Sequence, residues 1–163
     1  MGETRLFSIG HSDHELAHLV RLLKAAGITA VADVRSQPSS QRVPQFNRIE
    51  FQRSLEEHGI AYGFFGDQLG GRPRDPHLYD VQGRVDYERV RQTRRFRQGL
   101  DQLCQALEQH TLVMLCSEED PLDCHRGLMI APALVERGIL PAHLCGDGTV
   151  ESTVCCSLAR LPS

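Results

Sequence analysis

Two cysteines, a histidine and an arginine crowd the stretch T-L-V-M-L-C-S-E-E-D-P-L-D-C-H-R, from Thr111 to Arg126. An uninterrupted apolar run ends on Cys116, an acidic loop follows, and Cys124, His125 and Arg126 open the next helix. A thiol near a helix N-terminus and a guanidinium ionises readily and becomes a nucleophile. An imidazole beside it carries protons. A guanidinium grips phosphate or carboxylate through two directed bonds, and free N–H groups at a helix start favour anions. The catalytic set read from these types is Cys124, Cys116, His11 and His125, with Arg126, Arg35 and Arg72 as anion-binding residues.

Other chemistries compete for the same residues. Cys116 can be a small buried hydrophobe closing an apolar strand. Arg35 can be the structural partner of Asp33, because a buried guanidinium needs a carboxylate or an anion. Rhodanese-like sulfur transfer is an analogy through Asp33-Val34-Arg35 and a cysteine at a later strand end, but Glu118, Glu119 and Asp120 make a poor anion cradle beside a thiolate. The short Cys-to-Arg spacing of thiol phosphatases is absent. A metal set of Cys116, Cys124, His125 and His11 fits no standard zinc spacing, and adjacent Cys124 and His125 would strain to share one ion. Metal binding by this set stays an alternative, no metal ligand is assigned, and the cofactor is left unknown. A different class of function, nucleic-acid binding, rests on Arg89, Arg91, Arg94, Arg95 and Arg97 on one helical stretch, with Phe96 to stack a base. Asp86, Glu88 and Asp101 dilute that patch.

The elements that must position these residues alternate between strand and helix. Arg5–Ile9 reads as a first strand, and Leu16, Leu19, Val20, Leu23 and Ala26 follow helical spacing up to Gly27. Ser12 and Glu15 have capping-box spacing. Ile28–Val34 is a second strand, Asn47 caps a helix to about His58, and Ile60–Phe65 is a third strand. Gly66–Arg84 is a long Gly-, Pro- and Asp-rich loop, of the kind that is more often functional than idle. A helical region over Asp86–Gln109, broken near Thr93, leads to the Thr111–Cys116 strand. The helix from Asp123 contains Pro132, which should kink it by removing the bond back to Leu128. Leu140–Cys145 is a fifth strand.

Strands separated by helices imply right-handed crossovers, so the expected fold is a single α/β domain over residues 1–151, a mainly parallel five-stranded sheet with helices on both faces. Residues 152–163 are read as a loose tail. Parallel strands put their carboxyl ends on one edge, where ligands of such sheets collect. His11, Arg35, Cys116 and Arg126 are thus expected to line one cleft, with Gly10 allowing close approach. The 163 residues, formal charge of −3 and 6 scattered cysteines fit one ordinary domain with reduced thiols, not a generally basic nucleic-acid binder or a small disulfide framework. No secretory or membrane-spanning segment is read, which sets the expectation of a cytoplasmic protein with no membrane partner.

The segments F-S-I-G-H-S, D-V-R-S-Q-P, P-Q-F-N, L-G-G-R-P and C-S-E-E-D-P-L-D-C-H-R, in this order, resemble the domain-of-unknown-function family 488 over roughly residues 5 to 147. The resemblance implies a compact α/β intracellular domain and points to His11, Arg35, Cys116, Cys124, His125 and Arg126, with no firmly established reaction to transfer. Pro132 and the tail with Cys155 and Cys156 stand outside that pattern. The resulting expectation is an enzyme or enzyme-like binder of an anionic, phosphate- or nucleotide-like ligand; nucleic acid is the lesser partner.

Overall fold

Apolar runs that alternate with helical periods require a sheet covered on both faces. The computed structural model describes residues 5–152 and has that arrangement. Strands β1 (Leu6–Gly10), β2 (Ala30–Asp33), β3 (Ala61–Phe64), β4 (Leu112–Cys116), β5 (Ala142–Leu144) and β6 (Val150–Ser152) form one six-stranded sheet in the order β3-β2-β4-β1-β5-β6. The first five run parallel, while β6 is antiparallel to β5.

β6 corrects the five-stranded expectation. It is exposed along its length, so no buried alternation marks it in the sequence. A tight turn makes it instead, with Gly148 N donating to Cys145 O and Cys145 N to Thr149 O. Ser152, assigned from the sequence to the tail, closes this strand, and Cys155 and Cys156 lie outside the described residues.

Helices α1 (Leu16–Ala25) and α2 (Arg48–Glu57) cover one face, α5 (Arg94–Leu107) and α6 (Ala131–Glu136) the other. The alternation of β4 divides two cores. Leu112, Met114 and Cys116 join the α5/α6 core with Phe96, Leu100 and Leu134, whereas Val113 and Leu115 join the α1/α2 core with Leu19, Phe51 and Leu55. Each such large apolar side chain contributes roughly 1.5–3 kcal/mol relative to exposure. Cys116 is thereby committed to the α5/α6 side at the carboxyl edge.

The long loop after β3 is more ordered than its composition suggests. It holds α3 (Gly66–Leu69), a 3-10 turn at Pro76–Leu78 and a bridge between Tyr79 and Val85. The helical region beyond, α4 (Tyr87–Arg91) and then α5, breaks where expected, and the Thr93 hydroxyl caps α5 by accepting from Phe96 N. The capping box at Ser12 and Glu15 does not form; Glu15 is the N-cap and offers no side-chain bond. Asn47 sits at the N-cap of α2 but spends its Oδ1 on Ser40 N, 2.7 Å away, which ties down the preceding loop. Pro132 does not kink one long helix. A five-residue π turn, Arg126–Ile130, precedes α6, and Pro132 falls in the first turn of α6, where a missing N–H costs little. No helix among the described residues is long and apolar enough to cross a membrane.

Candidate functional site

The middle strands β2, β4 and β1 converge at the carboxyl edge. Gly10 pairs with Cys116 in register, His11 N donates to Cys116 O at 2.9 Å, and Ser12 N donates to Ser117 O. Gly10 is required there, because a Cβ at this position would lie 1.7 Å from Glu118 O. The loop after β4 is thus pressed onto the end of β1. It makes the 3-10 turn Pro121–Asp123, Cys124 is extended at φ −147° and ψ 170°, and His125 begins the π turn.

That extended residue decides the cluster. With Cys124 in β geometry and His125 in helical geometry, both side chains turn toward Cys116. The two sulfurs and His125 Nδ1 all lie within 4.8 Å of one another, and all three residues are buried. Cys116 Sγ is 3.9 Å from His125 Nδ1. The opposite ring nitrogen, Nε2, donates to the Val34 carbonyl at 2.7 Å, so Nδ1 is left to face the thiols. Neighbouring positions in the chain therefore share one point in space, against the strain expected of adjacent Cys124 and His125.

The two thiols titrate as a pair. Cys116 is held well below the ordinary thiol range, chiefly by the hydrogen bond from the Cys124 thiol and further by His125 and the Glu118 amide, against the opposing effect of burial. Cys124 is raised, first because its proton is shared with Cys116, then by burial and by the negative charge on Cys116. Arg126 pulls Cys124 the other way from 3.1 Å, but it also gives its guanidinium to two carbonyls. The easily ionised sulfur is Cys116, not Cys124 as the helix-start argument expects.

Arg126 takes a different place from the anion contact expected of it. It is 1 % exposed and lies behind the cluster. Nη1 donates to Glu118 O at 2.6 Å and to Cys124 Sγ, Nη2 donates to Glu119 O at 2.9 Å, and Nε donates to Ser8 Oγ at 3.2 Å. Four of the five guanidinium N–H groups are accounted for in this way. Arg126 is a clamp on the acidic loop. Of the amides at this turn, Gly127 N and Leu128 N both donate to Cys124 O, and the Arg126 amide faces the Cys124 sulfur.

Arg35 is engaged as well. Its Nε and Nη2 donate to the two Asp33 oxygens at 2.9 and 2.8 Å, the bidentate ion pair named as its structural alternative. Tyr62 also donates to Asp33, and burial with that carboxylate's charge raises the phenol above its ordinary range. Arg72 differs from both. Its backbone N–H is anchored to Ser36 Oγ at 2.9 Å, and its exposed side chain has no ion-pair or hydrogen-bond partner among the described residues.

A cleft of about 400 Å³ opens over the cluster, lined by Cys116, Cys124 and His125 with Arg35, Ser36, Gln37, Arg72 and Tyr87, and rimmed by the exposed Glu118 and Asp123. His11 is not in it. His11 stacks on Phe46 of the α1/α2 core at 4.6 Å and lines a neighbouring hollow that shares Arg35, Gln37 and Glu118. Arg126 bonds Ser8 behind the cluster and lines neither hollow, so of His11, Arg35, Cys116 and Arg126, expected in one cleft, Arg35 and Cys116 share it and His11 lines the neighbouring one. His11 Nδ1 donates to Ser12 O at 2.7 Å, and burial lowers its pKa below the ordinary value.

The Arg-rich stretch does not form one face. Phe96 is 1 % exposed in the α5/α6 core and offers no ring to a base. Arg89 pairs with Asp86, Arg91 and Arg97 line a hollow with Glu88 and Glu136, and Arg95 lines a different hollow, one that Arg72 also borders.

Sequence reasoning missed Tyr62, Gly71, Ser8 and His143. A Cβ on Gly71 would stand 2.7 to 3.0 Å from His125 Nδ1, Cγ and Cβ, so this residue of L-G-G-R-P lets the backbone pack closely on the imidazole. Ser8 Oγ is hydrogen-bonded to His143 Nδ1 and accepts from Arg126. A lone polar residue in each of two apolar strands, L-F-S-I-G and A-H-L, is the signal that could have found that pair.

The family described as domain of unknown function DUF488 matches residues 15–131. That span begins after His11 and takes in Arg35, Arg72, Cys116, Cys124, His125 and Arg126. No curated protein and no solved structure matches the chain.

Proposed function

This chain belongs to the DUF488 family, and on that premise we propose that its cleft binds an anionic ligand, phosphate- or nucleotide-like, and acts on it with the Cys116, Cys124 and His125 cluster. One observation carries the reading: a buried thiol pair and imidazole share a cleft with Arg72, a cation that nothing else among the described residues engages. Arg35 supports the wall as an ion pair already closed on Asp33, so Arg72 is the cleft's unpaired cation among the described residues. Glu118 and Asp123 stand exposed at the rim, and their negative charge restricts the anion to the side near Arg72. The four free cysteines among the described residues support a reducing, cytoplasmic setting.

Titration of inorganic phosphate and of a nucleoside monophosphate into the full chain at fixed ionic strength tests this. Arg72→Ala should weaken binding by on the order of 1 to 3 kcal/mol, about one to two powers of ten in Kd. Arg72→Lys should recover only part of it, because an ammonium lacks the planar fork. Binding by neither probe, or equal binding by parent and Arg72→Ala, would overturn the proposal.

A further inference from the structure

We infer that Cys116, Cys124 and His125 form a binding site for one thiophilic divalent ion of the zinc class, two sulfurs and Nδ1 as ligands, with the fourth position open to the cleft. This names the acting part of the proposed site, and it rests on that reading only in giving the fourth position to the anion.

Geometry comes first. Around a tetrahedral zinc with ordinary bond lengths, a sulfur and a nitrogen ligand stand about 3.6 Å apart. Cys116 Sγ and His125 Nδ1 are at 3.9 Å, and all three ligand atoms fall within 4.8 Å of one another. Small side-chain adjustments close that difference. Two thiolates and one imidazole with an open position are also a donor set that zinc uses in catalytic sites. Hard ions such as magnesium and calcium prefer oxygen and are disfavoured here.

The surroundings fit a metal more closely than a lone nucleophile. His125 gives Nε2–H to the Val34 carbonyl at 2.7 Å, the outer contact that orients a ligating imidazole and leaves Nδ1 free for the ion. Arg126 donates to Cys124 Sγ from behind, as an outer donor does to a bound thiolate. Gly71 packs against the imidazole itself: a Cβ there would stand 2.7, 2.8 and 3.0 Å from His125 Nδ1, Cγ and Cβ, over the ring, so the bare backbone at residue 71 fits closely against the ring and helps hold its orientation. Arg35 and Arg126 are spent on Asp33 and on two carbonyls, and two thiolates balance a divalent charge, so the ion would offer an anion its open coordination position rather than net charge.

Adding Zn²⁺ and, as a spectroscopic probe, Co²⁺ to the reduced full chain tests the inference. One equivalent should bind, with Co²⁺ giving sulfur-to-metal charge-transfer absorption and the intense visible bands of tetrahedral coordination. Cys116→Ser, Cys124→Ser and His125→Gln should each lower affinity by more than about 100-fold, beyond the loss typical of an outer contact. Cys104→Ser, Cys145→Ser and the double change Cys155→Ser/Cys156→Ser should not alter it. In the unaltered chain, which needs no folding control, Zn²⁺ should protect Cys116 and Cys124 alone from alkylation. No uptake by the parent, uptake unchanged in Cys116→Ser and His125→Gln, or alkylation indifferent to Zn²⁺ would each overturn the site. Phosphate binding that depends on Arg72 in a chain that takes up no metal would sink this inference alone. Metal uptake with anion binding indifferent to Arg72 would sink the proposed anion site alone.

Discussion

At the scale of the residue, Arg126 gives its guanidinium to two peptide carbonyls, a hydroxyl and a thiol, all inside the protein. Lysine keeps the charge but cannot reach that many acceptors from one ammonium. Arg126→Lys should therefore destabilise the fold by about 1–3 kcal/mol through carbonyls left buried and unpaired. Urea unfolding measures it, and a midpoint equal to the parent's would reject the clamp. The same chain of contacts sets an acid limit. His143 is lowered to about 4, first by burial and then by the Arg126 charge. The unfolded chain takes up this proton near pH 6.5 and the folded chain refuses it until about pH 4, so stability is full above that window and falls through it as pH drops. Between pH 7 and pH 5 the loss should be about 2 kcal/mol. It should be smaller in His143→Gln, and parallel losses in both proteins would show that other groups carry the acid response. The types and spacing of Cys116, Cys124 and His125 are legible in the sequence because they sit together in it. What Arg126 does is not, because its partners are backbone oxygens that any residue supplies.

Elements were legible where burial writes a period. The parallel strands and the break at Thr93 follow from apolar spacing and a hydroxyl before a helix. β6 carries no such period, and the π turn before Pro132 answers to local backbone packing that periodicity does not report. Caps show the same division. Thr93 accepts from Phe96 N, while Ser12 lies at φ 46° and gives its hydroxyl to Asp13 rather than to a helix amide. Thr93→Ala should cost about 1 kcal/mol, and Ser12→Ala only a few tenths, since no helix bond is lost. Thermal unfolding of the two variants side by side would decide it; equal losses would mean that the cap at Thr93 contributes nothing particular.

Across the whole molecule, the order β3-β2-β4-β1-β5-β6 brings β1, β2 and β4 to the middle, and with them Gly10, Arg35 and Cys116 to one edge. That convergence was legible only as a shared edge. Which strand ends touch, and which side of the sheet each residue serves, depends on strand order, so His11 separates from the thiols. The arginines are dispersed by the same architecture. Arg91→Ala/Arg97→Ala, on a hollow away from the thiols, should leave phosphate and nucleotide affinity unchanged, whereas Arg72→Ala weakens it. A titration in which the double variant also fails would return the anion site to the helical stretch. The clamp on the loop after β4 has a longer reach in evolutionary time. Arg126 holds position 118 by its main-chain oxygen, while the Glu118 side chain stands exposed on the cleft wall. A peptide oxygen is blind to the residue that bears it. Replacement of Glu118 by a neutral or basic residue thus re-aims the wall at a different ligand and leaves the frame intact, a low-cost path along which descendants of this chain can diversify their substrates without relearning how to fold.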